Sequence, residues 1–482
     1  MSITQEIIRI IESNAPMKLE EIIQREVSEW EGKEQRKFMI TGQQYYEMNL
    51  DILNRKRTGI GEGGAEIEIK TLSNNKLAHG FVRKLVDQKV GYLLSKPLSI
   101  QTENTKYQEL LKEIFNKGFL RLLKNVGKGA INKGIAWLQV YYNDASELRF
   151  KILPSEEIIP LWIDAAHTEL QAIIRVYEIE VYEGTRKRTV KKVEFWDATG
   201  VKRYMQDGSK LVEDPDNQSG SHFKAVQVDQ EVQLNWQRIP IIPFKYNDEE
   251  IPLVKMVKSL SDDYDRRRSD NSNNLEDLPE SIYVLKNYDG TDLAEARRNI
   301  SVLRMVKVQG DGGVESINLN INVEAANSHL SQTRKDIYEF GRGVDTQSDK
   351  LGNSPSGIAL RFLFADLDMD ANIIETEFQA SMEQLLWFVN QHLANTGKGD
   401  FEKESVEFIF NRDIIINETE SITNASNSKG VISDETIVAN HPWTSDTQEE
   451  LNRIKKQKEV EMKYSGYGEF GGKKDPPEDD DE

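Results

Sequence analysis

The stretch from residue 355 to 393 sets the scale of any fold this chain can adopt. Its apolar residues Leu360, Leu363, Leu367, Ala371, Ile374, Phe378, Met382, Leu385, Val389 and Leu393 recur at steps of three or four, the spacing of one continuous helical stripe. Beyond Gly357 no glycine or proline interrupts it. Ser354 stands where an N-cap is needed, Pro355 suits the first helical position, and Asn395-Thr396-Gly397 supplies a stop. At about 1.5 Å per residue such a helix is roughly 55–60 Å long, more than a typical domain is wide. A helix of that length serves as a spine between parts; a coiled coil or long bundle helix is the other reading of the same stripe. A loop of small and polar residues, 341–354, and a helix over 323–340 precede it.

The 482 residues are 38% hydrophobic, enough to bury a sizeable core spread over about two to four substructures. A formal charge of −19 argues against a conventional nucleic-acid binder, which needs a basic footprint to displace counterions, but it allows a protein that DNA passes through without sticking. The absence of cysteine excludes disulfides, thiolate metal sites and cysteine nucleophiles, and suits a reducing cytoplasm. No basic segment with an apolar core opens the chain, and no apolar run of membrane-spanning length occurs, so the sequence carries no sign of secretion or membrane insertion.

In chain order, residues 5–55 read as amphipathic helices and 58–64 as a glycine-rich loop. Asn74-Asn75 is expected to cap a helix carrying Leu77, Phe81, Leu85 and Leu93, and a single further helix is expected over 106–125. Beyond Trp137 alternation takes over, with turns at Glu183-Gly184, Thr199-Gly200 and Asp207-Gly208, which predicts an antiparallel sheet region lasting to about Asn247. Helical spacing returns at Leu253, Met256, Val257, Leu260 and Tyr264, beside charges at Asp262, Asp263, Asp265 and Arg266–Arg268 that read as a solvated face. A strand, helix, strand, strand unit (SIYVLK, DLAEARRNI, VLRMVKV, VESINLN) is inserted before the 323–340 helix. After the spine, VEFIFN reads as a strand and 449–463 as a last helix. The tail from 466, with Asp475, Glu478 and Asp479–Glu482, is expected to be disordered.

Chemistry-bearing motifs are missing. GKGAINKG at 127–134 lacks the spacing and the hydroxyl of a phosphate-binding loop, and Gly59, Gly61 and Gly64 follow no apolar strand. His79, His167, His222, His329, His392 and His441 lack zinc-site spacing, so each reads as a surface or packing residue. Asp366, Asp368 and Asp370 would point about 200° apart in succession on a helix and do not converge on an ion. No catalytic residue, metal site or cofactor is expected.

The order of the phrases YYEMNLDILNRK, NNKLAHGFVRKLVDQKVGYLLSKPLSI, GIAWLQVYYND, ILPSEEIIPLW, RIPIIPFKYN and SPSGIALRF, spread over residues 40–395, resembles portal proteins of tailed bacteriophages, of the type found in siphophages of Gram-positive bacteria. The resemblance implies an α+β, portal-like multipart subunit assembled as a ring of about twelve at one capsid vertex. Its parts would be N-terminal helices and an α/β wing (1–250), stem helices (251–278 and 322–341) and a small α/β clip (279–321). A tunnel loop (342–354), a long spine helix from wing to crown (355–397), a wing and helical crown part (398–465) and a disordered acidic tail (466–482) would complete it.

It further implies a channel for DNA packaging and ejection. The implied partners are double-stranded DNA, the terminase, head-completion or adaptor proteins, and the capsid and scaffolding proteins, with no membrane. In the tunnel loop, Lys350 is the candidate phosphate contact with Gln347 and Asn353 as neutral donors; in the clip, Lys286, Arg297 and Arg298 are candidates for partner docking. About twelve chains at −19 carry about 228 formal negative charges, which suits a channel along which DNA slides. Another head-tail connector ring and a DNA-processing enzyme are the alternatives.

Overall fold

The structure, a computed structural model, describes residues 18–60, 64–70, 72–208, 210–227, 230–276, 281–286, 292, 294, 310–318, 323–347, 357–412, 418–439, 441–444 and 447–465. The chain divides into two compact units: residues 1–90, 122–345 and 366–400 form the first, and 91–121, 346–365 and 401–482 the second.

The first unit opens with α1 (Leu19–Gly32) and α2 (Glu34–Tyr46). Helix α1 turns Ile22, Ile23, Val27 and Trp30 inward, the stripe of an amphipathic helix. These side chains share a core with Ile158, Ile173, Val193, Phe195, Trp196 and Val201 of a five-stranded antiparallel sheet. Its strands are β6 (Ile158–Trp162), β7 (Leu170–Glu183), β8 (Arg186–Asp197), β9 (Gly200–Asp207) and β10 (Lys210–Glu213), paired in sequence order. The hairpin turns fall at Gly184, Gly200 and Gly208, where the sequence puts them, and Gly184 and Gly208 have left-handed φ of 66° and 59°.

A second sheet joins β4 (Ile135–Tyr142), β5 (Leu148–Leu153) and β13 (Ile241–Lys245) in the order β13-β4-β5, while β11 (Phe223–Gln227) and β12 (Gln230–Leu234) form a separate hairpin. Pro243, which has no N–H to give a ladder, sits on the edge strand β13, and its carbonyl accepts a 2.7 Å bond from Ser381 Oγ of the long helix.

That long helix, α8, runs Gly357–Asn395 and stops where Gly397 turns to φ 71°. In the first unit its stripe residues Leu367, Ala371, Ile374, Phe378, Met382, Leu385, Val389 and Leu393 are all buried. They pack on this chain's own sheet layer, with Phe378 edge-on to Phe244 at 5.1 Å, so the stripe is a core face and not a coiled-coil seam.

Helices α6 (Leu253–Glu276) and α7 (Val323–Phe340) pack on each other. Between them in sequence lies the antiparallel pair β14 (Ser281–Lys286) and β15 (Gly313–Asn318). Most of the expected helix and the VLRMVKV strand lie outside the described residues, as does the acidic tail.

Four expectations are corrected. Asn74-Asn75 caps no helix: α3 starts only at Phe81 (Phe81–Leu94), and the preceding segment is extended along α6. The backbone N–H groups of Asn75, Leu77 and His79 donate to the side chains of Asn273, Ser269 and Asp265 at 2.6, 2.9 and 3.0 Å, a ladder that replaces helical bonding.

The same ladder overturns the solvated reading of Asp265, which is fully buried, with Oδ1 2.7 Å from His79 Nδ1. Desolvation raises its pKa despite that partner. The glycine-rich loop is in part a strand, because β1 (Thr58–Ile60) pairs with β2 (Glu66–Glu68). The single helix over 106–125 is two, α4 (Thr105–Ile114) and α5 (Lys117–Lys133). Asn116 starts the second by accepting bonds from the N–H groups of Gly118 and Phe119.

In the second unit β3 (Ser99–Gln101) pairs with β16 (Glu407–Ile409) beside α4. Tyr107 stacks on Phe401 with ring centres 4.3 Å apart, and Phe115 meets Phe119 and Phe408 edge-on. Helices α9 (Glu418–Asn427), α10 (Asp434–Ala439) and α11 (Thr447–Ser465) complete it, and no described side chain among them is buried.

Candidate functional site

The 341–354 loop is the stretch the sequence marks for function, and its first residues are held by a built root. Helix α7 ends at Phe340, and the turn Gly341-Arg342-Gly343 lies against α3. A Cβ at Gly343 would come 2.2 Å from Leu85 Cδ2 and one at Gly341 would come 2.7 Å from Leu85 Cδ1, so both positions need glycine for close approach. Arg342 between them takes a left-handed φ of 49°, a strained conformation for a long side chain. The next residue is fastened twice by Gln88: its Nε2 donates to the Val344 carbonyl at 2.7 Å and its Oε1 accepts from the Val344 N–H at 3.2 Å.

Beneath this turn sits a buried charge cluster. Lys89 Nζ lies 2.7 Å from Asp370 Oδ2 of α8, with both side chains almost wholly shut from solvent, and it also donates to the Arg342 carbonyl at 3.1 Å. The Tyr246 hydroxyl donates to the Asp370 carboxylate at 3.0–3.1 Å, and the Arg342 guanidinium approaches it at 3.5 Å. Burial pushes the Lys89 ammonium below its ordinary pKa and the Tyr246 phenol well above its own, which sharpens their dependence on Asp370. On the other side of the turn Arg334 grips Asp345 through two nitrogens at 2.7 and 2.8 Å, and this contact raises the already high guanidinium pKa. Residues from α3, α7 and α8, with Tyr246 just beyond β13, thus gather around the Gly341–Asp345 turn.

Of the sequence candidates, Gln347 is exposed just beyond this root. Lys350 and Asn353 lie outside the described residues, as do Arg297 and Arg298. Lys286 is exposed on β14 and forms an ion pair with Glu315 across the β14–β15 ladder. Sequence reasoning does not single out the root residues Lys89, Arg342 and Asp345, and it weighs Asp370 only as a metal ligand. A signal existed: Asp370 interrupts the stripe between Leu367, Ala371 and Ile374, and Lys89 lies between Val86, Val90 and Leu93, so each is a charge on an apolar face that needs a partner.

Among the described residues no His, Asp or Glu grouping could hold a metal ion, and no helix is long and apolar enough to cross a membrane.

Residues 28–464 match the family profile described as "Phage portal protein, SPP1 Gp6-like". The chain belongs to this portal family. The portal protein of Bacillus phage SPP1 is 31% identical over 449 residues, 92% of this chain and 88% of that protein. The portal protein of Clostridium phage phiCD119 is 27% identical over 442 residues, 88% of this chain and 94% of that protein. Two solved structures, the neck of an empty gene transfer agent particle with C6 symmetry and that of the native particle with C12 symmetry, align with TM-scores of 0.41 and 0.39. Their identities are 11% and 10%, and they cover 75% and 74% of this chain and 90% and 88% of theirs. That likeness is too loose to define the fold. As a phage portal protein the chain is a structural component of a virion and not an enzyme.

Proposed function

We propose that this portal protein assembles into a homo-oligomeric ring of about twelve subunits that forms the channel for DNA packaging and ejection at one capsid vertex. The observation that carries the reading is the 31% identity to a portal protein over 92% of the chain. In this reading residues 1–250 are the N-terminal helices and wing, 251–278 and 322–341 the stem, 279–321 the clip and 342–354 the tunnel loop. Residues 355–397 are the spine, 398–465 the crown and remaining wing, and 466–482 an acidic tail. The clip docks the terminase and head-completion proteins, with Arg297 and Arg298 as its cationic contacts; Lys286 is a weaker candidate because Glu315 already engages it. Capsid and scaffolding proteins surround the ring, and the subunit is made in the bacterial host cytoplasm.

The loop root supports the tunnel-loop assignment. A loop that meets moving DNA needs a rigid foot, and the Gly341–Asp345 turn is tied by Gln88, Lys89, Arg334 and Asp370. Beyond that foot Lys350 contacts phosphate, with Gln347 and Asn353 as neutral donors. In an in vitro packaging assay Lys350→Ala is expected to leave ring assembly intact and to change the packaging rate or final DNA length. Packaging identical to wild type would remove the phosphate contact from Lys350, and failure of wild type to oligomerise would remove the ring.

A further inference from the structure

A second charged feature lies away from the loop root. The segment after α2 places Arg55 and Arg57 beside Arg267, Asp270, Asn271 and Asn274 of α6, around a cleft of about 560 Å³ that α7 closes on one side. Three guanidinium groups line it with one carboxylate, Asp270; Arg267 Nε also lies 3.6 Å from Asp263 and Arg57 Nη1 donates to the Ser73 carbonyl at 2.7 Å, in a chain whose net charge is −19. Arg55 Nη2 holds Asp270 at 2.6 Å, while its Nη1 is shut from solvent and has no acceptor among the described residues. A buried guanidinium nitrogen with no acceptor is costly, and Arg267, with 54% of its side chain exposed, is the guanidinium of the cleft that an incoming carboxylate reaches in the forked geometry arginine favours.

The same segment runs into the ribbon β1–β2, which has only three residue pairs, Thr58 with Glu68, Gly59 with Ile67 and Ile60 with Glu66. Ile60 is 85% exposed and Ile67 51% exposed. A two-stranded ribbon this short is marginal in water and gains stability only by lying on another surface. Its second strand presents Glu66 and Glu68 to solvent, with Lys56 Nζ 3.9 Å from Glu68. At about 3.3 Å per residue the ribbon carries Ile60 about 10 Å beyond Arg57.

We propose that the arginine cleft of one subunit receives the Glu66–Glu68 strand of a second copy of this chain. This inference rests on the ring reading and names the contact that makes it. Identical subunits at −19 repel each other, so a contact between them needs a basic receptor for an acidic element, and this chain carries both. Because ribbon and cleft are different surfaces, the contact is heterologous: it runs head to tail and closes as a ring. The glutamates pair with Arg267, while Ile60 and Ile67 are covered in the same step.

The full chain tests this by charge reversal, with oligomer distribution read by mass photometry across concentration and salt. Glu66→Arg/Glu68→Arg and, separately, Arg267→Glu are each expected to raise the concentration of half-assembly by about tenfold or more and to flatten its salt dependence. The chain combining all three reversals should regain assembly. Arg55 is left in place because its bond to Asp270 belongs to the fold. As an independent measurement, the absence of native cysteine allows Glu66→Cys/Arg267→Cys to be treated with a short bis-maleimide, and a ladder of covalent oligomers is expected. Wild-type assembly at unchanged salt dependence in the reversal chains, or cross-links only within single chains, overturns the contact while the ring stands. Arg267→Glu chains that assemble normally but lose retention of double-stranded DNA overturn it in favour of a phosphate site. A wild-type chain that is monomeric at every concentration overturns both the ring and this contact.

Discussion

The pair Lys89–Asp370 offers the sharpest test of how the loop root is built. Both side chains are buried, at 1% and 4% exposure, so removing one partner strands the other charge. Asp370→Leu leaves the Lys89 ammonium with the Arg342 carbonyl and the face of the Tyr246 ring and is expected to cost about 3–5 kcal/mol. Lys89→Met is milder, about 2–3 kcal/mol, because Asp370 keeps the Tyr246 hydroxyl at 3.0–3.1 Å and the Arg342 guanidinium at 3.5 Å.

In the double variant neither charge remains, and the residual cost is that of an unpaired Tyr246 hydroxyl, about 1–3 kcal/mol. The two single changes therefore sum to more than the double, with a coupling of about 2 kcal/mol or more. Guanidinium unfolding followed by tryptophan emission measures it, since Trp30, Trp137, Trp162, Trp196, Trp236 and Trp387 all report on the first unit. Amide exchange at Gly343 and Val344 should accelerate in both single variants, showing that the cost is felt at the loop root. A coupling below about 0.5 kcal/mol would place the pair with solvent-exposed ion pairs and refute the account of a buried charge cluster.

Two further outcomes follow from the geometry. Gly343→Ala pushes a methyl group to 2.2 Å from Leu85 Cδ2 and 3.0 Å from Gln88 Oε1, so it should lower stability by about 1–3 kcal/mol, and Leu85→Ala in the same chain should recover part of that loss; additive losses would show that Leu85 is not the obstacle. Asp265 has its folded pKa raised by burial, so its contribution to stability falls as pH climbs from the unfolded carboxylate value through the folded one; Asp265→Asn should remove that component from a stability–pH curve, and an unchanged curve would count against it.

Much of the frame is legible in residue order because it depends on local periodicity. The stripe from Leu367 to Leu393 names the buried face of the long helix, and Gly184 and Gly208 mark hairpins because their left-handed φ suits glycine. The failures arise where a distant group outbids the local pattern. Asn74-Asn75 looks like a helix cap, yet Asn273 and Ser269 of α6 take the amides a cap would have served. Asp265 sits in a run of charges that reads as solvent-facing, but its neighbour on the other side is His79 in the extended segment before α3.

What the sequence determined by itself was the length of the spine, the alternation of helix-rich and strand-rich stretches, and the order of segments that places the chain in its family. These follow from spacing along the chain, which local sterics and burial of one face convert directly into structure. Only the tertiary structure decided which charges on apolar faces are tolerated. Lys89 and Asp370 are 281 residues apart, and nothing local to either says that the other will be 2.7 Å away. The loop root exists because packing α3 against α8 brings those two charges out of water together, where each is stable only in the presence of the other.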